Sequence, residues 1–568
     1  MNKVILLALL MPAAAFGQNM EIARLGSVII SEIMADPSPV VELPAREYIE
    51  LHNRTGDPVN LKNWSLSDGN SNSVFPERII DSGGFIIVCQ LGDTALFKNY
   101  GKTIGLKSFP ALTNEGKTIF IRDSKGALVH GVKYSSGWYG DKLKDSGGWS
   151  IEIIDTDYPF FEKGNWRASV SPEGGTPGEA NSVAAKNRDM NFTGIENVFP
   201  DDSCRISIRF TETVAGLRNL PEIIEIEGLE IDTLFNSDPL YRSYTVLSVE
   251  PMKHGRIYTL RISDVATDFA GNKMERNNFR FGLTEPAGKG DILFNELLFN
   301  PWPDEPDFIE FYNNSERVIN ASSLLLVSVN DESRDTSSVF PASPENHCVI
   351  PRNYIVITSS REALAGRFPH ADAGNIIEVS PLPSMPDDKG HLILFNRSLE
   401  KVDEVFYDEE MHYSLLSGDE GISLEKVTVN GNSADRSQWH SAAESAGWGT
   451  PGAPNSVLSE NPESKNRVIL SSTKISPDND GYEDFLVIHF MLGRPGSVVS
   501  VNVFDETGRF VKRVADNLLA GPESSVVWNG TAEDEKLVGT GIYILLISLF
   551  DDSGKTLKWK KVCTVIRR

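Results

Sequence analysis

The residues best suited to bind an ion lie in one short acidic segment, Ser476–Asp484, with the sequence SPDNDGYED. Asp478, Asp480 and Asp484 surround Gly481, which permits a tight turn that brings their carboxylates together, and Ca²⁺ prefers such oxygen ligands. The segment lacks the full ligand series and the closing bidentate glutamate of an EF-hand. These three aspartates are thus candidate calcium ligands, and an Asx-type turn that opens a domain is the alternative interpretation.

Two glutamate pairs occupy matching sequence contexts, since Glu32 and Glu50 correspond to Glu296 and Glu310. Paired carboxylates hydrolyse glycosides when they are held roughly 5 to 10 Å apart. Both pairs lie in apolar strand motifs, however, where a carboxylate more often accepts hydrogen bonds from the backbone or pairs with a cation. We therefore assign these glutamates a structural role and predict no catalytic residue and no residue that binds an organic cofactor.

Other enzyme motifs are incomplete or absent from the sequence. Each GKT tripeptide, at Gly101, Gly116 and Gly554, lacks the glycine that a phosphate-binding loop requires five positions earlier. No HExxH or GxSxG motif occurs, and no two of the nine histidines are spaced i, i+4. The sequence therefore favours a protein without catalytic activity.

Aromatic residues provide a candidate sugar-binding surface. Trp138, Tyr139 and Trp149 gather in and beside a glycine-rich segment, where exposed rings would stack on sugars or cover the backbone of their own turn. Trp166 and Trp439 belong to a repeated motif and are expected in the core. An unidentified glycan or protein is therefore a candidate ligand.

Charge and cysteine content exclude further classes of protein. The formal net charge is −25, which repels phosphate backbones, so nucleic acid is a disfavoured partner. The four cysteines are far apart and each falls in a different expected domain, which argues against disulfides within domains and against CxxC zinc sites. We expect neither a disulfide scaffold nor a structural zinc.

The N-terminal residues predict export. Val4–Met11 is a short apolar run, and Ala15 and Gly17 stand at the positions that a signal peptidase reads. The mature chain is expected to begin at Gln18, after a signal peptide of residues 1–17. That run is too short to span a bilayer, and no later apolar stretch of roughly 18 residues exists, so no transmembrane span is expected.

The segments that position all these residues include an internal repeat. Three motifs recur in the same order: SEIMADP (31–37) as NELLFNP (295–301), EYIELHN (47–53) as DFIEFYN (307–313), and NWRASVSPEGGTPGEANSV (165–183) as QWHSAAESAGWGTPGAPNSV (438–457). Such order indicates two copies of one domain. Each copy consists of short strand-like runs separated by Gly, Pro, Asn and Asp, which predicts an antiparallel β-sandwich.

The repeated motifs, with LKNWSLSDG (61–69), resemble the lamin-tail domain found in many exported bacterial proteins. The resemblance implies an immunoglobulin-like β-sandwich. It covers residues 26–183, and it covers residues 290–457 less fully, because the segment 319–331 lacks a counterpart of Trp64.

Two further modules are identified by resemblance. Residues 187–282, with RISIRFTETV (205–214) and YTLRISDVATDFAGN (258–272), resemble a bacterial immunoglobulin-like module. Residues 468–568, with DETGR (505–509), VWNGT (527–531) and GTGIYILLISL (539–549), resemble the immunoglobulin-like domain of flagellar hook-capping proteins. Similar modules close many secreted Bacteroidetes proteins, where they act as sorting signals for type IX secretion through outer-membrane machinery.

The sequence thus predicts an all-β chain of tandem immunoglobulin-like β-sandwich domains. We interpret it as a non-catalytic protein, exported to the cell surface or the medium, that serves as a binding or spacer scaffold. The alternative is an accessory component of a secreted hydrolase system, or an enzyme with an unrecognised carboxylate site. A purely structural stalk is the third interpretation.

Overall fold

The computed structural model describes residues 25–162, 164–214, 223–329, 336–414, 416, 418–458, 466–493, 495–551 and 554–566. Strands dominate these residues, which confirms the all-β fold of tandem sandwiches. The chain divides into two compact units. The first comprises the residues up to Met252 together with Tyr258–Phe281, and the second comprises Lys253–Ile257 together with the residues from Gly282 onwards. The expected signal peptide and the cleavage before Gln18 lie outside the described residues.

The first unit opens with a sandwich built from strands β1 to β12. Their bounds are β1 (Val28–Met34), β2 (Tyr48–Asn53), β3 (Val59–Asn60), β4 (Ser65–Ser67), β5 (Asn72–Val74), β6 (Ile79–Ile80), β7 (Phe85–Gln90), β8 (Thr103–Leu106), β9 (Gly116–Arg122), β10 (Leu128–Ser135), β11 (Ile151–Ile153) and β12 (Trp166–Ala168). Among these strands, β12-β11-β1-β2-β7-β8 form one sheet, β10-β9-β4-β5 form a second, and β3 pairs with β6.

The larger sheet of this sandwich is buried on both faces. Its inner face packs against the smaller sheet around Ile33, Leu51, Ile121 and Val132. Its outer face carries a second apolar cluster of Met34, Leu43, Tyr48, Ile87, Cys89 and Phe97. Every residue of β1 is consequently buried, whereas a sheet with one solvated face would alternate. Polar side chains on the outer face must therefore find partners within the protein.

The first unit continues with a smaller sandwich. Its strands are β13 (Phe192–Pro200), β14 (Arg205–Phe210), β15 (Ile224–Ile226), β16 (Ile231–Asn236), β17 (Ser243–Ser248), β18 (Tyr258–Ile262), β19 (Met274–Arg276) and β20 (Asn278–Phe281). The sheets are ordered β16-β17-β14-β13-β19 and β15-β18-β20. The expected alternation on β18 is present, because Tyr258, Leu260 and Ile262 are buried while Arg261 is exposed.

The second unit begins with a sandwich that repeats the topology of the first. Its elements are β21 (Thr284–Glu285), β22 (Ile292–Leu298), β23 (Phe308–Asn313), β24 (Val318–Asn320), β25 (Leu324–Val329), β26 (Thr336–Pro341), β27 (Cys348–Val349), β28 (Tyr354–Thr358), α1 (Arg361–Arg367), β29 (Ile376–Glu378), β30 (Lys389–Asn396), β31 (Lys401–Asp408), β32 (Leu424–Lys426) and β33 (Trp439–Ser441). The sheet orders β33-β32-β22-β23-β28-β29 and β31-β30-β25-β26 match those of the first sandwich strand for strand. Leu364 of α1 joins the apolar cluster on the outer face of the larger sheet.

The C-terminal sandwich completes the second unit. Its strands are β34 (Arg467–Leu470), β35 (Lys474–Ile475), β36 (Leu486–Met491), β37 (Ser497–Asp505), β38 (Phe510–Ala520), β39 (Glu523–Trp528), β40 (Gly541–Phe550) and β41 (Thr556–Val565). The sheets are ordered β34-β36-β39 and β35-β41-β40-β37-β38. They enclose Val501, Trp528, Leu545 and Ile547.

Helical structure is sparse among the described residues. Short 3-10 turns occur at Leu91–Asp93, Ser136–Tyr139, Ala321–Ser323, Ala373–Asn375, Glu409–Met411, Arg436–Gln438 and Glu444–Ala446. Within the described ranges, no helix has the length and apolar character needed to cross a membrane.

Candidate functional site

The densest group of titratable side chains lies on the outer face of the larger sheet in the first sandwich. Glu32 on β1 stands directly opposite Glu152 on β11 and Glu50 on β2. All three are fully buried. Directly opposed residues of antiparallel strands have Cβ atoms about 4.5–5.5 Å apart, so the three carboxyl groups are neighbours. We call Glu32, Glu50 and Glu152 the first glutamate trio.

The second sandwich contains the same arrangement. Glu296 on β22 stands opposite Glu310 on β23 and Glu425 on β32, and all three are fully buried. We call them the second glutamate trio. In both sandwiches the register shifts just before the central glutamate, between Ile30 and Glu32 in one copy and between Phe294 and Glu296 in the other. This recurring β-bulge re-aims the side chains beside it.

The repeated closing motif covers the first trio. Thr176 donates its backbone N–H to Glu32 Oε1 (2.8 Å) and its hydroxyl to Glu152 Oε1 (3.0 Å). The backbone N–H of Gly178 donates to Glu50 Oε2 (2.6 Å), and the Ser182 hydroxyl donates to Glu152 Oε2 (2.8 Å). The TPGEANSV segment is therefore a closing loop that binds all three carboxyl groups.

The second closing loop repeats these contacts. The Thr450 N–H donates to Glu296 Oε1 (2.9 Å), and its hydroxyl donates to Glu425 Oε1 (2.8 Å). The Gly452 N–H donates to Glu310 Oε2, and the Ser456 hydroxyl to Glu425 Oε2 (2.7 Å). The closing motif recurs in the sequence because each copy must supply hydrogen-bond donors to three buried carboxyl groups.

The asparagine of each closing motif donates hydrogen bonds to backbone carbonyl groups at and beside the β-bulge. The Asn181 side-chain amide donates to the carbonyls of Ser31 (2.9 Å) and Ile153 (2.8 Å). Asn455 donates in the same way to Asn295 (3.1 Å) and Lys426 (2.9 Å). A bulge leaves backbone groups outside the ladder, and these amides satisfy them.

The environment of the trios opposes ionisation. Burial raises the pKa of Glu32 from 4.5 to about 7, and the neighbouring Glu152 carboxylate adds to the shift. Burial also raises the pKa of Glu425 to about 7. The pKa values of Glu50, Glu296 and Glu310 lie well above the ordinary value, again mainly because of burial. These carboxyl groups hold their protons more tightly than exposed glutamates do.

The four sequence-predicted glutamates thus lie together in two sites, but the sequence interpretation missed the third member of each. Glu152 and Glu425 end the matching segments GWSIE (148–152) and GISLE (421–425). They also precede Thr176 and Thr450 by 24 and 25 residues, so local pattern and spacing together are the signal that could have found them.

The candidate calcium ligands do come together. Asp478, Asp480 and Asp484 bring carboxylate oxygens within 4.8 Å of one another, with the first two residues exposed and Asp484 half-buried. Backbone amides already reach several of these oxygens: Gly481 donates to Asp484 Oδ2 and Tyr482 to Asp480 Oδ1, both at 2.8 Å. The donor set suits Ca²⁺, and the same contacts are those of an Asx-type turn.

A second acidic group, absent from the sequence interpretation, lies in the first unit. Asp189, Glu212 and Asp268 also bring carboxylate oxygens within 4.8 Å, and the two aspartates are buried. Burial and the charge of Asp268 raise the pKa of Asp189 to about 6, and burial with both aspartates raises that of Glu212 to about 8. The three residues come from distant segments, so spacing gave no signal, although Glu212 in RISIRFTETV and Asp268 in DFAGN both lie within the motifs of this module.

The aromatic rings of the candidate sugar-binding surface are largely covered by other side chains of the protein. Trp138 stacks on Trp166, with ring centroids 5.6 Å apart, and Tyr139 is buried. Lys144 covers the ring of Trp149 at 4.4 Å. Trp166 and, in the second sandwich, Trp439 are core residues, as expected.

The chain is similar to parts of several solved structures, all at low identity. It is 22% identical to FlgD from P. aeruginosa over 18% of this chain and 74% of that one (TM-score 0.14). It is 21% identical to the N-terminal part of the bacterial S-layer protein SbsC, over 28% of this chain and 39% of that one (TM-score 0.15). It is 9% identical to dimeric latent PorU from Porphyromonas gingivalis, over 79% and 40% (TM-score 0.15). Scores this low transfer no function.

No curated protein matches the chain. The family comparison is more specific, and it falls on the first sandwich. There the expected resemblance is confirmed for the strands from β1 to β10: residues 23–136 match the family model of the Lamin Tail Domain.

Proposed function

We propose that this chain is a non-catalytic exported protein whose tandem sandwiches act as a binding or spacer scaffold at the cell surface or in the medium. The observation that carries the proposal is the use made of the repeated acids. Every glutamate of both trios is fully buried and accepts hydrogen bonds, chiefly from a closing loop. The repeated acids therefore stabilise the fold of each sandwich.

The burial of these acids weighs against the hydrolase alternative. A glycosidase acid must lie within hydrogen-bond reach of the sugar oxygen that it protonates. Glu32 and Glu50 are 0% exposed, and in the other copy so are Glu296 and Glu310. Two surface depressions elsewhere, of about 360 Å³ and about 440 Å³, are not lined by any of the trio glutamates. The scaffold proposal therefore accounts for the pattern better.

We also propose the domain boundaries and the role of the last domain. A signal peptide would occupy residues 1–17, and the domains residues 26–183, 187–282, 290–457 and 468–568. The last domain would be the sorting signal that outer-membrane secretion machinery recognises, a role supported by its resemblance to the modules that close secreted Bacteroidetes proteins. The partner of the remaining domains would be a glycan or a protein outside the cell.

Deletion of residues 468–568 tests the sorting role. In the native host the truncated chain should stay folded but remain in the periplasm, because the surface that the machinery recognises is gone. Fractionation followed by immunoblotting measures its location, and protease resistance of the retained domains serves as the folding control. A signal peptide fused to a neutral reporter and residues 466–568 should reach the surface. Truncated chain outside the cell at full-length levels would refute the role.

A binding assay separates the scaffold from the enzyme. The purified mature chain is screened against glycans, peptidoglycan and cell surfaces, with Glu32→Gln and Glu50→Gln as variants. The scaffold proposal expects binding without turnover, at the same strength in both variants. Substrate hydrolysis that disappears in the folded variants would establish the enzyme instead.

A further inference from the structure

The buried trios carry an inference beyond the scaffold role. Among the described residues, the groups that donate hydrogen bonds to the six carboxyl groups are hydroxyls, side-chain amides and backbone N–H groups. In the first trio the donors are Tyr48, Ser150 and Thr176 to Glu32, Ser31 and Gly178 to Glu50, and Thr176, Ser182 and Val183 to Glu152. Among these described contacts there is no cation. Three negative charges in such a site would have no compensating charge.

The repulsion between these buried charges is avoided if the site keeps a proton. Carboxylates that share a buried site cannot all ionise near neutrality, so at least one keeps a proton. The electrostatic influences on Glu32 and Glu50 agree, because the main charges acting on both are those of other glutamates in the trio. The same holds for Glu296, on which Glu425 and Glu310 act.

In the first trio, one atom points to where the proton lies; in the second, the Thr450 hydroxyl reaches the corresponding oxygen, Glu296 Oε2, at 3.3 Å. Glu32 Oε2 is buried and has no hydrogen-bond donor among the described residues, whereas Oε1 accepts three. A bare carboxylate oxygen in that position would be left without a hydrogen-bond donor, which destabilises the ionised form. A protonated Oε2 becomes a donor instead, and the carboxylates of Glu50 and Glu152 stand on the two adjacent strands to accept.

We propose that each glutamate trio is a buried proton-binding site, that it holds at least one proton at neutral pH, and that loss of this proton favours opening of the closing loop over it. Opening admits water to the carboxylates and relieves their repulsion. The two lamin-tail-like sandwiches would then loosen as the surroundings become alkaline and tighten as they become acidic.

The tyrosines and the cysteine that lie beside the trios have pKa values raised above their ordinary values, so they stay neutral in this range. In the first sandwich, Tyr48 on β2 donates to Glu32, and burial with the trio's charges holds its pKa well above the ordinary value. Burial raises the pKa of Cys89 on β7 to about 11. In the second, burial and the charge of Glu310 raise the pKa of Tyr354 on β28. Glu179, in the first closing loop, is exposed to water and is not one of the buried carboxyl groups. The buried trio groups whose raised pKa values are about 7 are Glu32 and Glu425.

The direction of the pH effect follows from the raised pKa values. The folded state binds these protons more tightly than the unfolded chain does, so the stabilisation is fully present below pH 4.5 and is lost as pH rises through about 7. For one group shifted from 4.5 to about 7, the opening equilibrium of the loop should rise by about two orders of magnitude across that window.

Hydrogen exchange on the full chain measures that opening. After correction for intrinsic exchange, protection of peptides covering residues 174–183 and 450–457 should fall steeply between pH 5 and pH 9, whereas a peptide from β40 serves as the unaffected control. Glu32→Gln imitates the protonated acid, so it should flatten the pH dependence at 174–183 only. Glu296→Gln should do the same at 450–457 only, which makes each copy the matched control of the other.

Infrared spectroscopy provides a second test. At neutral pH the wild-type chain should show the carbonyl band of a protonated carboxylic acid, to which Glu212 and Asp307 also contribute, because burial raises their pKa values to about 8 and about 7. The part of the band that Glu32→Gln or Glu296→Gln removes belongs to the trios, and it should fade as the pH is raised. The proposal is overturned if that part of the band is absent at neutral pH. It is equally overturned if loop protection in the wild-type chain does not change between pH 5 and pH 9.

Discussion

At the scale of single residues, the same side-chain chemistry occurs in two environments. The trio glutamates are buried, and burial raises the pKa values of five of them, while Asp478 and Asp480 are exposed on a turn. A buried carboxylate must be neutralised or paired, whereas an exposed one is available to a cation from solution. Burial therefore decides which acids stabilise the fold and which can bind an ion.

Calcium binding at the SPDNDGYED turn is tested at this scale. We expect Ca²⁺ to raise the melting temperature of the C-terminal sandwich, because an ion bound by the folded state alone stabilises that state. Asp484→Asn removes one ligand charge and should reduce the gain, while Asp516→Asn, at an exposed acid on β38, should leave it unchanged. Calorimetry of the full chain with Ca²⁺ and with a chelator gives the comparison. Identical melting in both would leave the Asx-type turn as the complete explanation.

At the scale of elements, the closing loops join strands that are distant in sequence. The first loop contacts β1, β2 and β11 through one glutamate each, so it fixes the centre of the six-stranded sheet from outside. The final strand forms most of one sheet edge. β41 pairs with β40 along its whole length, while on its other side the two-residue β35 pairs only with Thr564 and Val565. Removing β41 would therefore expose β40 and detach β35.

Gly175→Ala tests how closely the first loop approaches its trio. A Cβ at this position would lie 2.6 Å from Glu32 Oε1 and 2.7 Å from the Tyr48 hydroxyl, so the loop must move outwards. We expect a loss of about 1–3 kcal/mol in the free energy of unfolding, as for other overpacked sites. Urea denaturation followed by the fluorescence of the full chain measures it.

Gly137→Ala is the matched control for that change. The nearest atom to its Cβ would be Ser135 Oγ at 3.7 Å, an ordinary contact, so stability should hold. Equal urea midpoints for the two variants would show that the loop does not rest on the trio as described.

At the scale of the whole molecule, the segments between sandwiches differ in how firmly they are held. Residues 184–189 are tied back by hydrogen bonds, among them Ala185 N–H to the Ile154 carbonyl at 3.0 Å. Near residues 285–290, the short strand β21 pairs with β24, and Ala287 is buried. Both segments lie at boundaries between the proposed domains, where open linkers are the ordinary expectation, and both are instead held within their own compact units.

Limited proteolysis of the full chain should follow this difference. Cleavage is expected first within residues 458–466, whose polar composition marks a linker, and later at 184–189 and 285–290, because bound backbone resists a protease. Mass spectrometry of the time course identifies the order. Early cuts inside β1 or β22 would contradict the proposed boundaries.

The sequence by itself determined the all-β class, the two copies of one domain, the core tryptophans and four of the six trio glutamates. It could do so because strand alternation, turn residues and repeated motifs are local properties of the chain. Tertiary structure alone decided that Glu152 and Glu425 complete the trios and that Asp189 and Glu212 meet Asp268. These facts depend on which distant strands pair and on which faces become buried, and burial is what turns an ordinary glutamate into a group that keeps its proton.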